Sequence, residues 1–451
     1  MWLVPVALGL LWQTKVDKDQ DRCPAIATTD ALITLHGSEL ERYDRKTGAL
    51  SKVKVSLDAQ QKDPYIDAVS GEIVVLDALT TPMFGVDAKT GAQLWKRPLG
   101  PGKQPAASAD VMPGGDLIVR SEDLAIADGK VVGIERLDPQ TGKARWSTQV
   151  TLAHSREPLT VVASAQRIYV IGSTRGTNRH LELSIAALDR NGALKWQITD
   201  THERSPGKWH VVGDHLLSIA DDTAQVYDAK AGAKQPSWPV SSRMWPRVVG
   251  DSLYEALMGD NTIEAVDALT GKQRWKVKLP NRGEIQTHGE WFVVAATADV
   301  VVAFDGTTYA SYEAKTGAPI ATLGVAGMGD GLFDPRATES VPLIYACAKK
   351  MLTAIDPSVT TPEHHVTVTG KVHCKKCQKT DVLELRLADA TVRITPDVKF
   401  TIEVTGAGTY ALQVKRTDID ITRNLKRIEL TSDRTIKLGT LDADLPIEYP
   451  D

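Results

Sequence analysis

Cysteine is scarce in this chain. There are four in 451 residues, at Cys23, Cys347, Cys374 and Cys377, and no two are adjacent. So thin a supply excludes a fold built on a dense disulfide framework. Long apolar runs are missing too. Nothing approaches the roughly 20 residues of a membrane-crossing helix, and no transmembrane span is expected. Charge bias is small: 53 Lys and Arg stand against 57 Asp and Glu, a formal net charge of -4. That balance leaves no footprint for nucleic acid or an anionic membrane. Catalytic signatures are absent as well, with no Gly-x-Ser-x-Gly elbow, no phosphate-binding glycine loop and no His-Glu-x-x-His helix. The ten His are scattered. Residues such as His210 and His288 are expected on the surface or as satisfied core.

What the chain has in quantity is turn formers, 34 Gly and 23 Pro, between short strand-like runs. One hairpin recurs. "VDAKTGAQLWKRPL" begins at Val86, "LDPQTGKARWSTQV" at Leu137, "LDRNGALKWQI" at Leu188 and "VDALTGKQRWKVKL" at Val266. The acidic residue opening each turn stands at Asp44, Asp87, Asp138, Asp189, Asp228, Asp267, Glu313 and Asp356, which makes eight units. Gly closes the turn at Gly48, Gly91, Gly142, Gly192, Gly232, Gly271 and Gly317, and the eighth unit, "IDPSVTTPEHH", has lost the pattern. Four residues past the Gly comes Trp95, Trp146, Trp196 or Trp275. Trp238 comes two residues late, and Lys52 and Ala321 stand there in units one and seven.

Upstream of each turn, segments such as "AIATTDALITLHGSELERYD" alternate apolar and polar residues at period two, broken by Asp or Gly. One unit is therefore about four short antiparallel strands. Four such strands do not bury their faces alone, whereas sheets stacked radially around an axis cover one another. The expected fold is all-β, an eight-bladed β-propeller. The repeated Asp and Gly read as turn formers: Gly supplies a positive φ, and the Asp and Thr oxygens accept backbone N–H groups. The Trp reads as a wedge between blades.

The N-terminal "MWLVPVALGLLW" is apolar like a signal peptide's middle region, but it has no preceding Lys or Arg and no small-x-small cleavage site. The favoured reading is a chain that starts inside a longer precursor. "LLWQTKV", Leu10 to Val16, reads as a repeat strand. It is expected to supply the outer strand of the eighth unit and close the ring, with Trp12 buried like Trp95.

The hairpin "DAKTGAQLW" and its variants resemble the pyrroloquinoline-quinone-like (PQQ-like) propeller repeat with its tryptophan-docking motif. That family includes quinoprotein alcohol dehydrogenases and BamB-type scaffolds of the outer-membrane assembly machinery. The resemblance covers roughly Leu10 to His365 and implies the docking role for Trp12, Trp95, Trp146, Trp196, Trp238 and Trp275. The enzymes of the family hold PQQ against two adjacent, disulfide-linked cysteines, with a calcium ion on Glu, Asn and Asp. No adjacent pair exists here, and Cys377 is followed by Gln378 rather than the His of a haem-attachment site. The expectation is therefore a non-catalytic cell-envelope scaffold without cofactor or metal site, periplasmic or associated with the outer membrane, that binds protein partners. The alternative is a ligand-binding or enzymatic propeller using its central funnel.

"VAGMGDGLFDPRATES", Val325 to Ser340, is longer than a blade turn needs and carries Phe333, Asp334 and Arg336. It is the candidate partner loop; "STRGTNRHLEL" from Ser173 is a weaker second. After Asp356 the repeat stops. Residues 1–365 are assigned to the propeller and 366–451 to a small β-sandwich. Strand-like runs such as "FTIEVTGAGTYALQV" resemble carboxypeptidase-regulatory-like, transthyretin-type domains. Cys374 and Cys377 admit a local disulfide, a zinc site with His373 and His365, or a redox pair, and the disulfide is favoured. Cys23 and Cys347 fall in neighbouring blades if the ring closes, so a second bridge is possible.

Overall fold

Period-two alternation places successive side chains on opposite faces of a strand, and what covers each face decides the outcome. In this chain the middle strands are covered on both faces. Ser252–Leu257 and Val300–Phe304 are buried at every position. Outer strands keep a solvent-facing side, so Gln273–Lys278 buries only Trp275 fully. The alternation expected from sequence therefore holds at the rim and gives way inside to continuous apolar runs, because a neighbouring sheet lies on either side.

The computed structural model describes residues 10–15, 25–27, 31–36, 38–57, 65–77, 82–97, 103–104, 109–123, 130–153, 159–175, 181–202, 207–220, 222–240, 246–257, 261–279, 292–304, 308–325, 344–348, 351–356, 364–388, 390–406, 408–417, 422–430, 432–443 and 445. All regular structure among them is β. Eight antiparallel sheets follow one another along the chain, one per repeat unit, and the whole is a β-propeller. Blade two is representative: Tyr65–Ser70, Ile73–Asp77, Met83–Asp87 and Gln93–Arg97 pair in that order, inner to outer. The repeat's acidic residue ends the third strand, and its hairpin leads to the fourth.

Each apolar cluster spans two blades. Val212, Leu217, Val226 and Trp238 of blade five pack with Leu253 and Val266 of blade six. Tyr254, Ile263 and Trp275 of blade six pack with Val301, Ala303 and Tyr312 of blade seven. The core is thus a ring of inter-blade seams, the arrangement in which each repeat is stable only through its neighbours.

In blade eight, Ile344–Ala348 pairs with Met351–Ile355, and Met351–Ile355 pairs in turn with the N-terminal strand Leu10–Lys15. That strand occupies the outer position, opposite Ala354 at Trp12 and Met351 at Lys15. The ends of the propeller segment thereby meet in one sheet. The side chains of Leu10–Lys15 lie outside the described residues, and so does the expected burial of Trp12.

The C-terminal unit begins at His364. His364–His373 pairs antiparallel with Lys399–Gly406 and parallel with Arg434–Asp442. A second sheet orders Ala390–Ile394, Leu383–Leu387, Gly408–Arg416 and Thr422–Leu430. One apolar cluster, including Val366, Val368, Leu383, Leu385, Phe400, Ile402, Leu412, Val414 and Ile428, lies between the two sheets.

Removing residues 1–16 deletes the outer strand of blade eight. The melting temperature of the full-length protein is expected to fall, with faster amide exchange in Met351–Ile355. An unchanged melting curve would show that this strand does not close the ring.

Candidate functional site

The repeated Asp was the first candidate for chemistry, and its surroundings assign it to the turn. At Asp138 one carboxylate oxygen, Oδ1, accepts the N–H groups of Gln140 at 3.0 Å and Thr141 at 3.1 Å and the Thr141 hydroxyl at 3.2 Å. The other, Oδ2, accepts from Arg145 at 2.9 Å. The Gly142 N–H donates to the Asp138 carbonyl at 2.9 Å, closing the turn. The same set recurs with Thr at Asp44, Asp87 and Asp267, and without it at Asp189 and Asp228. Hydrogen bonds to the charged form depress a carboxyl pKa. The Thr47 hydroxyl leads in holding Asp44 below the ordinary range. At Asp138 burial pushes upward, and the Thr141 N–H and hydroxyl outweigh it.

Five of the turn glycines have a second duty that sequence reading missed. Trp95 of blade two lies on Gly142 of blade three. Trp146 lies on Gly192, Trp196 on Gly232, Trp238 on Gly271 and Trp275 on Gly317, each pair one blade apart. A methyl at Gly142 would stand 2.6 Å from Trp95 Cδ2, and the residue's φ is +64°. Both facts demand Gly: the left-handed backbone excludes most side chains, and the indole leaves no room for one. The indole N–H then donates to the carbonyl one residue past the turn's acid. The distances are 2.7 Å from Trp95 to Pro139, 2.9 Å from Trp146 to Arg190, 3.0 Å from Trp196 to Ala229 and 2.9 Å from Trp275 to Ala314. Turn and tryptophan are two halves of one inter-blade socket.

The sockets are not identical. Trp95, Trp196, Trp238 and Trp275 are buried, whereas Trp146 is half-buried. Trp238 covers Gly271, but its N–H is buried without an acceptor, a consequence of its late place in a longer hairpin. A small residue backs several of these indoles across the strand pair: Gly85 opposite Trp95, Ala187 opposite Trp196 and Ala265 opposite Trp275. Ala354 stands opposite Trp12 in the same way.

Other polar groups also serve the seams. Asp200 of blade four accepts from the Tyr227 hydroxyl and from Lys234 of blade five, both at 2.5 Å. Arg97 of blade two bonds Glu135 and the Gly142 carbonyl of blade three. His210, expected on the surface or satisfied, is half-buried, and its Nε2 is buried with no hydrogen-bond partner among the described residues. Burial, with Lys208 and Arg247 nearby, pushes its pKa down to about 4, so it stays neutral at pH 7. His288 lies outside the described residues.

A quinone-and-calcium centre would need acidic ligands converging on a cation and an adjacent cysteine pair. The regularly placed carboxylates stand on separate blades, and those of Asp44, Asp87, Asp138, Asp189, Asp228 and Asp267 accept backbone N–H groups of their own turns. Among the described residues no three of His, Cys, Asp and Glu converge. The residues described do not fit that centre. Cys374 and Cys377 are bonded to each other, with Cα atoms 5.3 Å apart, at the end of His364–His373. His373 turns to Asp397 at 3.0 Å and His365 to Thr405 at 3.2 Å, away from one another's reach as a ligand set. Phe333, Asp334, Arg336 and Cys23 lie outside the described residues, as do the side chain of Cys347 and any bridge it makes.

Two outcomes follow for the sockets. Trp95→Ala should cost about 3–5 kcal/mol, as for other buried large aromatics. Gly142→Ala should also destabilise, and in the Trp95→Ala background its cost should drop to the backbone share of about 1–2 kcal/mol. Equal costs in both backgrounds, measured by urea unfolding, would uncouple the two residues. Asp44, Asp87, Asp138, Asp189, Asp228 and Asp267 have folded pKa values below their unfolded ones, so their contribution is complete above about pH 4, the unfolded Asp value, and is lost as pH falls through the folded values. Asp138→Asn should therefore flatten the fall in urea midpoint below that pH, and an unaltered acid limb would refute the assignment.

Residues 9–179 and 181–331, well over half of the chain, match the family described as outer membrane protein assembly factor BamB. No curated protein matches. Among solved structures, BamB from Moraxella catarrhalis is 17% identical with a TM-score of 0.44, covering 77% of this chain and 99% of that one. A quinohemoprotein alcohol dehydrogenase from Pseudomonas putida is 12% identical with a TM-score of 0.46, covering 79% and 78%. A europium-containing methanol dehydrogenase is 12% identical with a TM-score of 0.46, covering 78% and 86%. With the repeat hairpin, its tryptophan sockets and this match in hand, the chain belongs to the family of the outer membrane protein assembly factor BamB.

Proposed function

We propose that the chain is a non-catalytic scaffold of the cell envelope, periplasmic or attached at the outer membrane, that binds protein partners through one face of its propeller. The observation that carries this reading is the fate of the repeated polar residues. Six turn aspartates are engaged by the N–H groups of their own hairpins, and four of the docked indoles are buried in the seams. The regular chemistry of the repeat is consumed in building the ring, and what varies from blade to blade is left for recognition. Membership of an assembly-factor family supports the same reading, although a fold alone hosts both enzymes and scaffolds.

The two faces differ. The Asp–Gly hairpins all lie on one face. Each outer strand then runs away from its hairpin, so Pro319–Val325 ends on the opposite face. That face is the proposed partner surface, with Phe333, Asp334 and Arg336 in the following segment as the first candidates.

A purified sample given PQQ and calcium is expected neither to retain the quinone through gel filtration nor to oxidise alcohols or sugars with a dye acceptor. Replacing Ala326 to Ser340 by a short Gly-Ser linker, which keeps Val325 and its pairing with Thr409, should leave the melting curve in place and weaken cross-linked capture of envelope proteins. Unchanged capture would clear the loop, and quinone-dependent dye reduction would overturn the scaffold reading itself.

A further inference from the structure

Two seams of the ring lack a docking tryptophan, and the way each is bridged reveals a role for the C-terminal unit. At the first, between blades one and two, Lys52 replaces Trp. There the chain stays extended just past the outer strand Leu50–Lys54. Ser56, eight residues past Gly48, makes a parallel bridge to Ala92 of blade two, and its N–H reaches the Gly91 carbonyl at 3.4 Å. The Lys54 carbonyl and the Val53 side chain stand over Gly91, where the other seams place an indole.

At the other, between blades seven and eight, Ala321 replaces Trp and the eighth unit has no turn Gly to receive one. The seam retains an apolar core in which Ile355 of blade eight packs with Ala295, Val302, Phe304 and Leu323 of blade seven. The outer strand Pro319–Val325 runs one residue past its last pair with its own blade. Val325, eight residues past Gly317, pairs in parallel, but its partner is Thr409 of the C-terminal unit, beside the pair Gly324–Gly408. Two facing glycines let two differently twisted sheets approach closely. The place is open for this contact: Leu383–Leu387 covers Gly408–Arg416 only from Gln413 to Arg416, and blade seven meets the same strand at its other end. The outer strand also lies against Lys399–Gly406 of the opposite sheet.

The chain itself supplies the other half. The C-terminal unit starts at His364, shortly after Met351–Ile355 of blade eight. It is tied covalently to blade eight and by hydrogen bonds to blade seven. We infer that this unit is a strap across the seam between blades seven and eight, standing in for the tryptophan lock which that seam lacks. The strap spans the one junction whose neighbour is closed by the N-terminal strand, so it fastens the ring beside its point of closure. This role is independent of what the propeller binds.

Val325 tests the strap because it pairs with Thr409 and with no strand of its own blade. Val325→Pro removes its N–H and should break the bridge, while Val325→Ala should keep it. Hydrogen exchange of the full chain is then followed by mass spectrometry. The expected result is at least tenfold faster exchange in Ile344–Ala348 and Met351–Ile355 for the Pro variant only, with Arg167–Arg175 of blade four unchanged. Equal exchange in the two variants would overturn the strap. A second arm needs no destabilised variant. A specific protease site placed between Pro357 and Pro362 is cut after folding, and the strap predicts that both fragments co-elute on gel filtration and separate when Val325→Pro is added. Fragments that separate without that substitution would show that the pairing does not hold the unit in place.

Discussion

A four-stranded sheet with two apolar faces has no stable state alone, and the whole molecule follows from that constraint. Each blade must be covered on both sides, so the blades form a ring, and the ring must close. The recurring contact that fixes one blade on the next is an indole laid flat on a glycine turn. Burying an indole of about 150–250 Å² at about 25 cal/mol per Å² gives an upper estimate of roughly 4–6 kcal/mol for each well-buried socket. The hydrogen bond to the carbonyl beside the turn adds little net energy, but it fixes where the ring sits.

The socket explains why Asp, Thr and Gly travel together with Trp. The Asp carboxylate folds the hairpin tightly enough to present Gly at positive φ, and a bare Gly is the only surface an indole can approach so closely. A seam that lacks Trp does without the socket and uses backbone instead. At blades one and two the bridge runs to the neighbouring turn, and at blades seven and eight it runs to the C-terminal unit. Both bridges fall eight residues after the turn Gly, where the outer strand has cleared its own hairpin. The contacts of Asp200 with the buried Tyr227 and the exposed Lys234 serve the same end between blades four and five. The Tyr227 hydroxyl thereby finds its acceptor across the seam, as a buried polar group must.

Function is correspondingly hard to read from repeated positions. The repeat is the scaffold's own chemistry, and Asp138 or Trp275 says nothing about a partner. His210 shows the limit in the other direction. It is a half-buried residue in "KWHVV", as the strand pattern suggests, but its Nε2 faces inward with no partner among the described residues, and that burial keeps the ring neutral.

The sequence by itself determined the unit, its count, the hairpin and the wedge position, because turn geometry and strand period are local and each repeat writes them again. It also carried the signal for the closing strand Leu10–Lys15, since an orphan outer strand at one end matched a missing one at the other. It did not show what the Trp rests on. Pro139, Arg190, Ala229 and Ala314 have no motif of their own, because a carbonyl acceptor is supplied by any residue. Nor did it show that the middle strands are buried on both faces, or that Val325 meets Thr409. Those depend on which sheets lie side by side, and side-by-side packing joins residues tens of positions apart whose only shared property is that the tertiary fold brings their backbones together.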